Sequence, residues 1–157
     1  MHIEITETPD DADYDALYRA LDAFNDETSF LPEPARKLAL LIRGEDGAAV
    51  GGLWAVSYYS WMFVQILYLP AHLRHGGTGS RLLAMAEAEA VRRGCRGIWL
   101  DTFSFQARPF YERHGYTVFG RIDDYPVGRQ RFFLSKRLDS VASSAEKAPA
   151  AARDSGP

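Results

Sequence analysis

The stretch Leu67-Tyr68-Leu69-Pro70, followed by Arg74-His75-Gly76-Gly77-Thr78-Gly79-Ser80 and then Arg81-Leu82-Leu83, decides how this chain is read. An apolar run ends at a proline, a basic glycine-rich turn follows, and a helical stripe of Leu82, Leu83, Ala86, Ala90 and Val91 begins at once. Strand, glycine turn and helix together hold an anion. The first N–H groups of a helix lack intrahelical partners and point outward together, and the helix dipole adds positive potential. Glycine lets the backbone approach a phosphate and adopt positive φ. Arg74 and Arg81 flank the turn as charged donors. Two phosphate motifs are excluded: Ser80-Arg81 stands where a Walker loop needs Lys-Ser/Thr, and Leu82 occupies the third glycine position of a dinucleotide fingerprint. On these residues alone, an ordinary glycine-rich strand–helix connection stands beside the phosphate reading.

Outward from this turn, the pattern is that of a mixed α/β domain. Met1 to Thr6 alternates as a short strand would, and Asp13 to Asp26 has Leu17, Leu21 and Phe24 at helical spacing. Ser29 to Pro34 reads as a loop. Lys37 to Arg43 and Val50 to Tyr59 flank Asp46-Gly47 as a hairpin, and Ser60 turns the chain into Trp61 to Leu69. Gly94 sits where a helix-ending glycine belongs. Ile98 to Phe103 reads as a buried strand, Ala107 to Arg113 as a short helix, and Tyr116 to Ile122 and Arg131 to Leu138 as two further strands. The order β-α-(α or loop)-βββ-α-β-α-ββ predicts a mixed α/β sheet rather than a doubly wound one, spanning residues 1–138. The Ser-, Ala- and Pro-rich tail, 139–157, is expected to be disordered.

With 157 residues, 46% apolar and 25% charged, the chain suits one globular domain with a sizeable core. The single Cys95 excludes a disulfide framework or a multi-cysteine metal site and suits a small buried apolar role. The net charge of −3 gives no bulk attraction to nucleic acid, and no apolar run is long enough to span a membrane. An acidic N-terminus is no signal peptide, so a cytoplasmic setting is expected. The charge is unevenly spread: Met1–Asp46 carries a net −8 and Gly47–Leu138 a net +6.

The turn resembles the acetyl-CoA segment of the GNAT (Gcn5-related) N-acetyltransferase superfamily, whose loop reads Arg/Gln-x-x-Gly-x-Gly/Ala and is matched by Arg74, Gly77 and Gly79. The second family feature is Asn-x-x-Ala-x-x-Phe/Leu-Tyr-Glu-x-x-Gly-Phe/Tyr. Ser104-Phe105-Gln106-Ala107-Arg108-Pro109-Phe110-Tyr111-Glu112-Arg113-His114-Gly115-Tyr116 matches it except at Ser104, which replaces the asparagine. The resemblance implies the family fold, a mostly antiparallel central sheet with helices on both faces, and direct transfer of an acetyl group from acetyl-CoA to an amine in a ternary complex. It implies that backbone groups from His75 through Gly76, Gly77, Thr78 and Gly79 to Ser80 hold the pyrophosphate. Leu67, Tyr68 and Leu69 would offer free backbone groups to the pantetheine and thioester, with Ser104, Ala107 and Phe110 lining the same arm. Tyr111 would aim its hydroxyl at the departing sulfur.

Other chemistries find less support. His72, His75 and His114 lack a carboxylate or cysteine to complete a metal site, and no Gly-x-Ser-x-Gly elbow exists, so no metal is expected. For the acceptor, Trp54, Tyr58, Tyr59 and Trp61 cluster around one hairpin, with Asp26, Glu27 and Phe30 in the acidic half. Aromatic faces with carboxylates suit a small cationic amine; the same aromatics also suit a core or a homodimer interface. A primary amine of pKa ~10.4 pays about 4–5 kcal/mol to lose its proton near pH 7. Several family members place a Glu on the strand before the loop, where this chain has Phe63 and Gln65, which leaves Asp26, Glu27, Asp101 and Asp124 as candidate bases. A non-catalytic CoA-binding sensor and a protein N-terminus or lysine acetyltransferase are the alternative readings.

Overall fold

The computed structural model describes residues 2–29 and 34–138, in two compact units that divide after Pro34. In the first unit, helix α1 (Asp11–Ser29) starts two residues before the sequence reading places it. Asp10 explains the early start: its Oδ1 accepts from the Ala12 N–H at 2.9 Å, an N-cap beside the acids Asp11 and Asp13. The strand expected over Met1–Thr6 is absent among the described residues 2–6. Period-2 alternation makes a strand only where a neighbour supplies ladder hydrogen bonds, and among the described residues of this unit the regular element is a helix. Phe30 and the tail from Asp139 lie outside the described residues.

The second unit is a six-stranded sheet. It comprises β1 (Arg36–Arg43), β2 (Ala49–Tyr58), β3 (Trp61–Tyr68), β4 (Gly97–Phe103), β5 (Thr117–Asp123) and β6 (Gln130–Arg137), in the order β1-β2-β3-β4-β6-β5. Every adjacent pair is antiparallel except β3 and β4. Helix α2 (Thr78–Arg92) is the crossover that this parallel pair requires, and α3 (Arg108–Arg113) links β4 to β5. The Asp46-Gly47 turn forms as read, with Gly47 at φ +79° and Asp46 Oδ1 accepting from the Ala48 N–H. Tyr59 and Ser60, both at positive φ, make the two-residue turn between β2 and β3.

One face of the sheet buries Leu53, Ala55, Met62, Val64, Ile98, Leu100 and Leu134 against Leu82, Leu83, Ala86 and Ala90 of α2. Both helices of this unit close by the same device. Gly94 and Gly115 sit at φ +78° and +84°, and the N–H groups of Cys95 and Tyr116 reach back to the carbonyls of Ala90 and Tyr111. The second of these bonds fixes the backbone of Tyr111. Arg93, buried at the end of α2, donates to Arg36 O, Lys37 O and Ser57 Oγ and pairs with Glu89, which ties the helix to β1 and β2. On the opposite face, Phe63 stacks on Trp99 at 3.9 Å.

Candidate active site

The site opens where the parallel pair ends. β3 and β4 are paired from Trp61↔Gly97 to Val64↔Leu100 and no further. The cause lies in β3: Trp54 pairs with Ile66 and Ala55 with Val64, so Gln65 is an extra residue that bends the strand away. β2 still follows β3 as far as Tyr68, while β4 follows β6. The β3 edge from Gln65 to Tyr68 and the β4 edge from Asp101 to Phe103 are therefore unpaired with one another. The bulge also turns Leu67, not Ile66, towards the core, where it packs.

Past Pro70, a 3-10 turn (Ala71–Leu73) leads into the glycine loop. Arg74 is held at its start by Nε donating to Leu69 O at 2.9 Å. His75 and Gly77 both take positive φ, +65° and +79°, and Gly77 is the N-cap of α2. The first intrahelical bond is Arg81 N–H to Gly77 O. The N–H groups of Thr78, Gly79 and Ser80 thus have no helical acceptor and share one direction. A Cβ at Gly76 or Gly77 would meet nothing within 4 Å, so the space before these donors is open. Three free donors, a dipole end and a glycine-bared surface fit a diphosphate. Gly79 serves packing instead: a Cβ there would lie 3.4 Å from Phe110 and 3.5 Å from Leu69, so its absence seats α3 against the loop.

α3 carries Tyr111 into the core beside the loop. Its ring is 7% exposed and meets those of Phe110 and Tyr116 edge-on at 5.1 and 6.0 Å. Among the described residues its hydroxyl has no hydrogen-bond partner. Burial, and then the negative charge of Asp101, push its pKa up to about 12. The hydroxyl keeps its proton at any physiological pH. Ala107 caps α3, and His114 Nδ1 lies 2.7 Å from Phe110 O.

Sequence reasoning placed Ser104 on the pantetheine arm. In the structure its Oγ accepts from Gln130 N–H and its own N–H donates to Gln130 O, clasping β4 to β6. Gln106 holds the same corner, with Oε1 accepting from Phe103 N–H and Thr102 Oγ. Asp101, the first β4 residue past the last β3 pair, has Oδ1 bound to Arg131 Nε and Nη2 at 2.8 and 2.7 Å. Trp54 lies on β2 opposite Ile66, but Tyr58 stands at the Tyr59-Ser60 turn, opposite Trp61 and at the far end of β3 from the opening. The structure does not bring Tyr58 to Asp101. Asp26 and Glu27 lie on α1, in the other unit. Arg131, Phe103, Phe105 and Tyr125 were missed by sequence reasoning, since no spacing signals a cluster assembled from three separate segments. Among the described residues, no three His, Cys, Asp or Glu side chains converge as metal ligands would.

Comparison with known proteins agrees with this geometry. The model of the acetyltransferase (GNAT) family matches residues 3–116. An acetyltransferase of Agrobacterium fabrum is 39% identical over 103 residues, 66% of this chain and 75% of that one. The blasticidin-S acetyltransferase of Streptomyces morookaense is 41% identical over 106 residues, 67% of this chain and 78% of that one. The crystal structure of an acetyltransferase from Bacillus cereus superposes with a TM-score of 0.74 at 32% identity, covering 88% of this chain and all of the other. The chain therefore belongs to the GNAT acetyltransferase family and is an acetyl-CoA-dependent N-acetyltransferase.

Proposed function

We propose that this enzyme acetylates the primary amine of a small cationic acceptor by direct transfer, with both substrates bound at the opening between β3 and β4. The observation that carries this reading is the coincidence, at one end of the sheet, of the bared N-terminus of α2, the unpaired β3 edge and the buried Tyr111. Acetyl-CoA supplies an activated acetyl thioester. The N–H groups from His75 to Ser80 bind its diphosphate, and the freed edge at Leu67, Tyr68 and Leu69 orients the pantetheine and polarises the thioester carbonyl. Positioning of the two substrates then supplies much of the rate.

Tyr111 Oη donates a hydrogen bond to the departing sulfur. With its pKa near 12 against about 8.5 for a thiol, full transfer from tyrosine to thiolate is uphill, so its main service is to stabilise the growing charge on sulfur. Asp101 is the carboxylate that meets the amine. The Asp101 carboxylate supports an amine acceptor, and the relative that acts on blasticidin S supports a small-molecule one. Residues 1–138 form the catalytic domain, its setting is cytoplasmic, and the tail from Asp139 is not needed for transfer.

Incubating the full chain with acetyl-CoA and a panel of small primary amines, while following free thiol, tests this. Amine-dependent thiol release with a mass gain on the amine is expected. Stabilisation by CoA with no turnover on any amine would overturn it in favour of a binding role.

A further inference from the structure

Beyond Asp101, the β4 side of the opening is built from residues that neither motif specifies, Phe105 falling at a free position of the second. Arg131 reaches Asp101 from β6, opposite Phe103 in the ladder. Its guanidinium carbon lies 5.2, 5.5 and 5.7 Å from the ring centres of Phe103, Tyr125 and Phe133, and Nη1 donates to Tyr125 Oη at 3.3 Å. Phe105 stacks on Phe103 at 5.2 Å and 6°, and Tyr125 meets Phe103 edge-on at 5.7 Å. The hairpin that holds Tyr125 is braced by its own bonds, Tyr125 N–H to Arg129 O, Arg129 N–H to Pro126 O and Gly128 N–H to Asp124 Oδ1.

Two places in this cluster are already taken. The seat for a cation among the rings is filled by Arg131, and the same guanidinium balances the charge of Asp101. Two features remain open. The hydrogen bond and the ion-pair contact from Arg131 both fall on Asp101 Oδ1, which leaves Oδ2 the less engaged oxygen. Phe105 and Tyr125 are 55% and 45% exposed, rings of a kind that stays uncovered where something flat is to lie. The Asp101 charge is felt at the Tyr111 hydroxyl, which ties the cluster to the reacting end of the site.

We propose that Asp101, Arg131, Phe105 and Tyr125 form the acceptor subsite, and that it takes a primary amine carried beside a flat unsaturated ring in preference to an aliphatic polyamine. Asp101 Oδ2 receives the amine N–H, and the two exposed rings stack on the acceptor's ring. Arg131 is a positioning residue that fixes the carboxylate by holding its other oxygen. This rests on the acetyltransferase reading above.

The test uses the full chain, acetyl-CoA and three probes: benzylamine, cyclohexylmethylamine and spermidine. Benzylamine is expected to exceed its saturated counterpart in kcat/KM by about tenfold, the upper worth of one aromatic contact, and to exceed spermidine as well. Phe105→Leu should bring the benzylamine to cyclohexylmethylamine ratio close to one while the KM for acetyl-CoA stays as it was. Arg131→Gln should raise the KM for benzylamine but not that for acetyl-CoA, and Arg131→Lys should recover part of the loss. If Arg131→Gln does not fold, Phe105→Leu, at an exposed position, decides the matter. Equal use of the two ring amines, a preference for spermidine, or a ratio unmoved in Phe105→Leu would each overturn the subsite. Failure of all three probes while other amines of the panel are acetylated overturns it too. Failure to bind acetyl-CoA overturns the acetyltransferase reading itself.

Discussion

The two walls of the opening between β3 and β4 are made of different materials. On the β3 side, the proposed donor wall is backbone: N–H groups of Thr78, Gly79 and Ser80, a strand edge freed by the bulge at Gln65, and glycines whose missing side chains leave room. On the β4 side, the proposed acceptor wall is side chain: a carboxylate, a guanidinium and aromatic rings drawn from β4, the β5–β6 hairpin and β6. A backbone wall presents the same donors whatever residues adjoin it, which suits a constant co-substrate. A side-chain wall changes with each substitution, which suits a partner that differs between relatives.

That contrast is sharpest at Tyr111, which sits where the walls meet. Tyr111→Phe keeps the ring and its edge-on contacts and removes only the proton. It should lower kcat by roughly 10²–10⁴-fold, with acetyl-CoA affinity near wild type. Because the hydroxyl is a weak acid at about 12, the lower end of that range is expected. Wild-type kcat in a variant whose chemistry is rate-limiting would remove Tyr111 from the reaction.

A donor wall made of backbone should be breakable by one intruding side chain. Gly77→Asp places a negative group in open space at the helix N-terminus, at a φ of +79° that aspartate tolerates better than most residues. Calorimetry should show acetyl-CoA affinity reduced about a hundredfold, the loss of one or two charge-assisted contacts plus repulsion. An unchanged Kd in a folded variant would put the diphosphate elsewhere.

The smallest effect concerns stability. Tyr116 is buried and its hydroxyl has no hydrogen-bond partner among the described residues; burial and the nearby Glu87 carboxylate, itself held by Lys136 at 2.7 Å, push its pKa far up. Tyr111 is raised for a similar reason. Below pH 10, the ordinary tyrosine value, the folded and unfolded chains both keep these protons. Above it the unfolded chain releases them and the folded chain does not, so stability falls as pH rises from about 10 through 12. For Tyr111 alone the two-unit gap is worth up to about 3 kcal/mol. Denaturant midpoints at pH 8 and pH 11 should differ less in Tyr116→Phe than in wild type; an equal difference would refute the account.

The contrast between the walls also explains how much was legible in the sequence. Glycines, prolines and caps are local signals, so the hairpin at Asp46-Gly47, the helix end at Gly94 and the loop at His75–Ser80 could be read directly. Gln65 could not, because a bulge is a mismatch between two strands and leaves no mark on either one alone. The same holds for Arg131, which is one arginine among many until β6 pairs with β4 and lays it against Asp101. The strand expected over Met1–Thr6 differs in the opposite way: alternation is present, but among the described residues of its unit no strand offers a ladder. The bond from Gln130 N–H to the Ser104 hydroxyl is of the same kind as that of Arg131 to Asp101, since no motif announces a joint between β4 and β6.

The four-pair seam between β3 and β4 has a further consequence. It joins two three-stranded ribbons, β1-β2-β3 and β4-β6-β5, each antiparallel and each nearly contiguous in the chain. The connection at Gly94 lies between them, with the whole diphosphate loop before it and Tyr111, Asp101 and Arg131 after it. A gene divided at that glycine yields two fragments of which neither holds a complete site. Thiol release from the mixture would then require the two ribbons to meet along the β3–β4 seam.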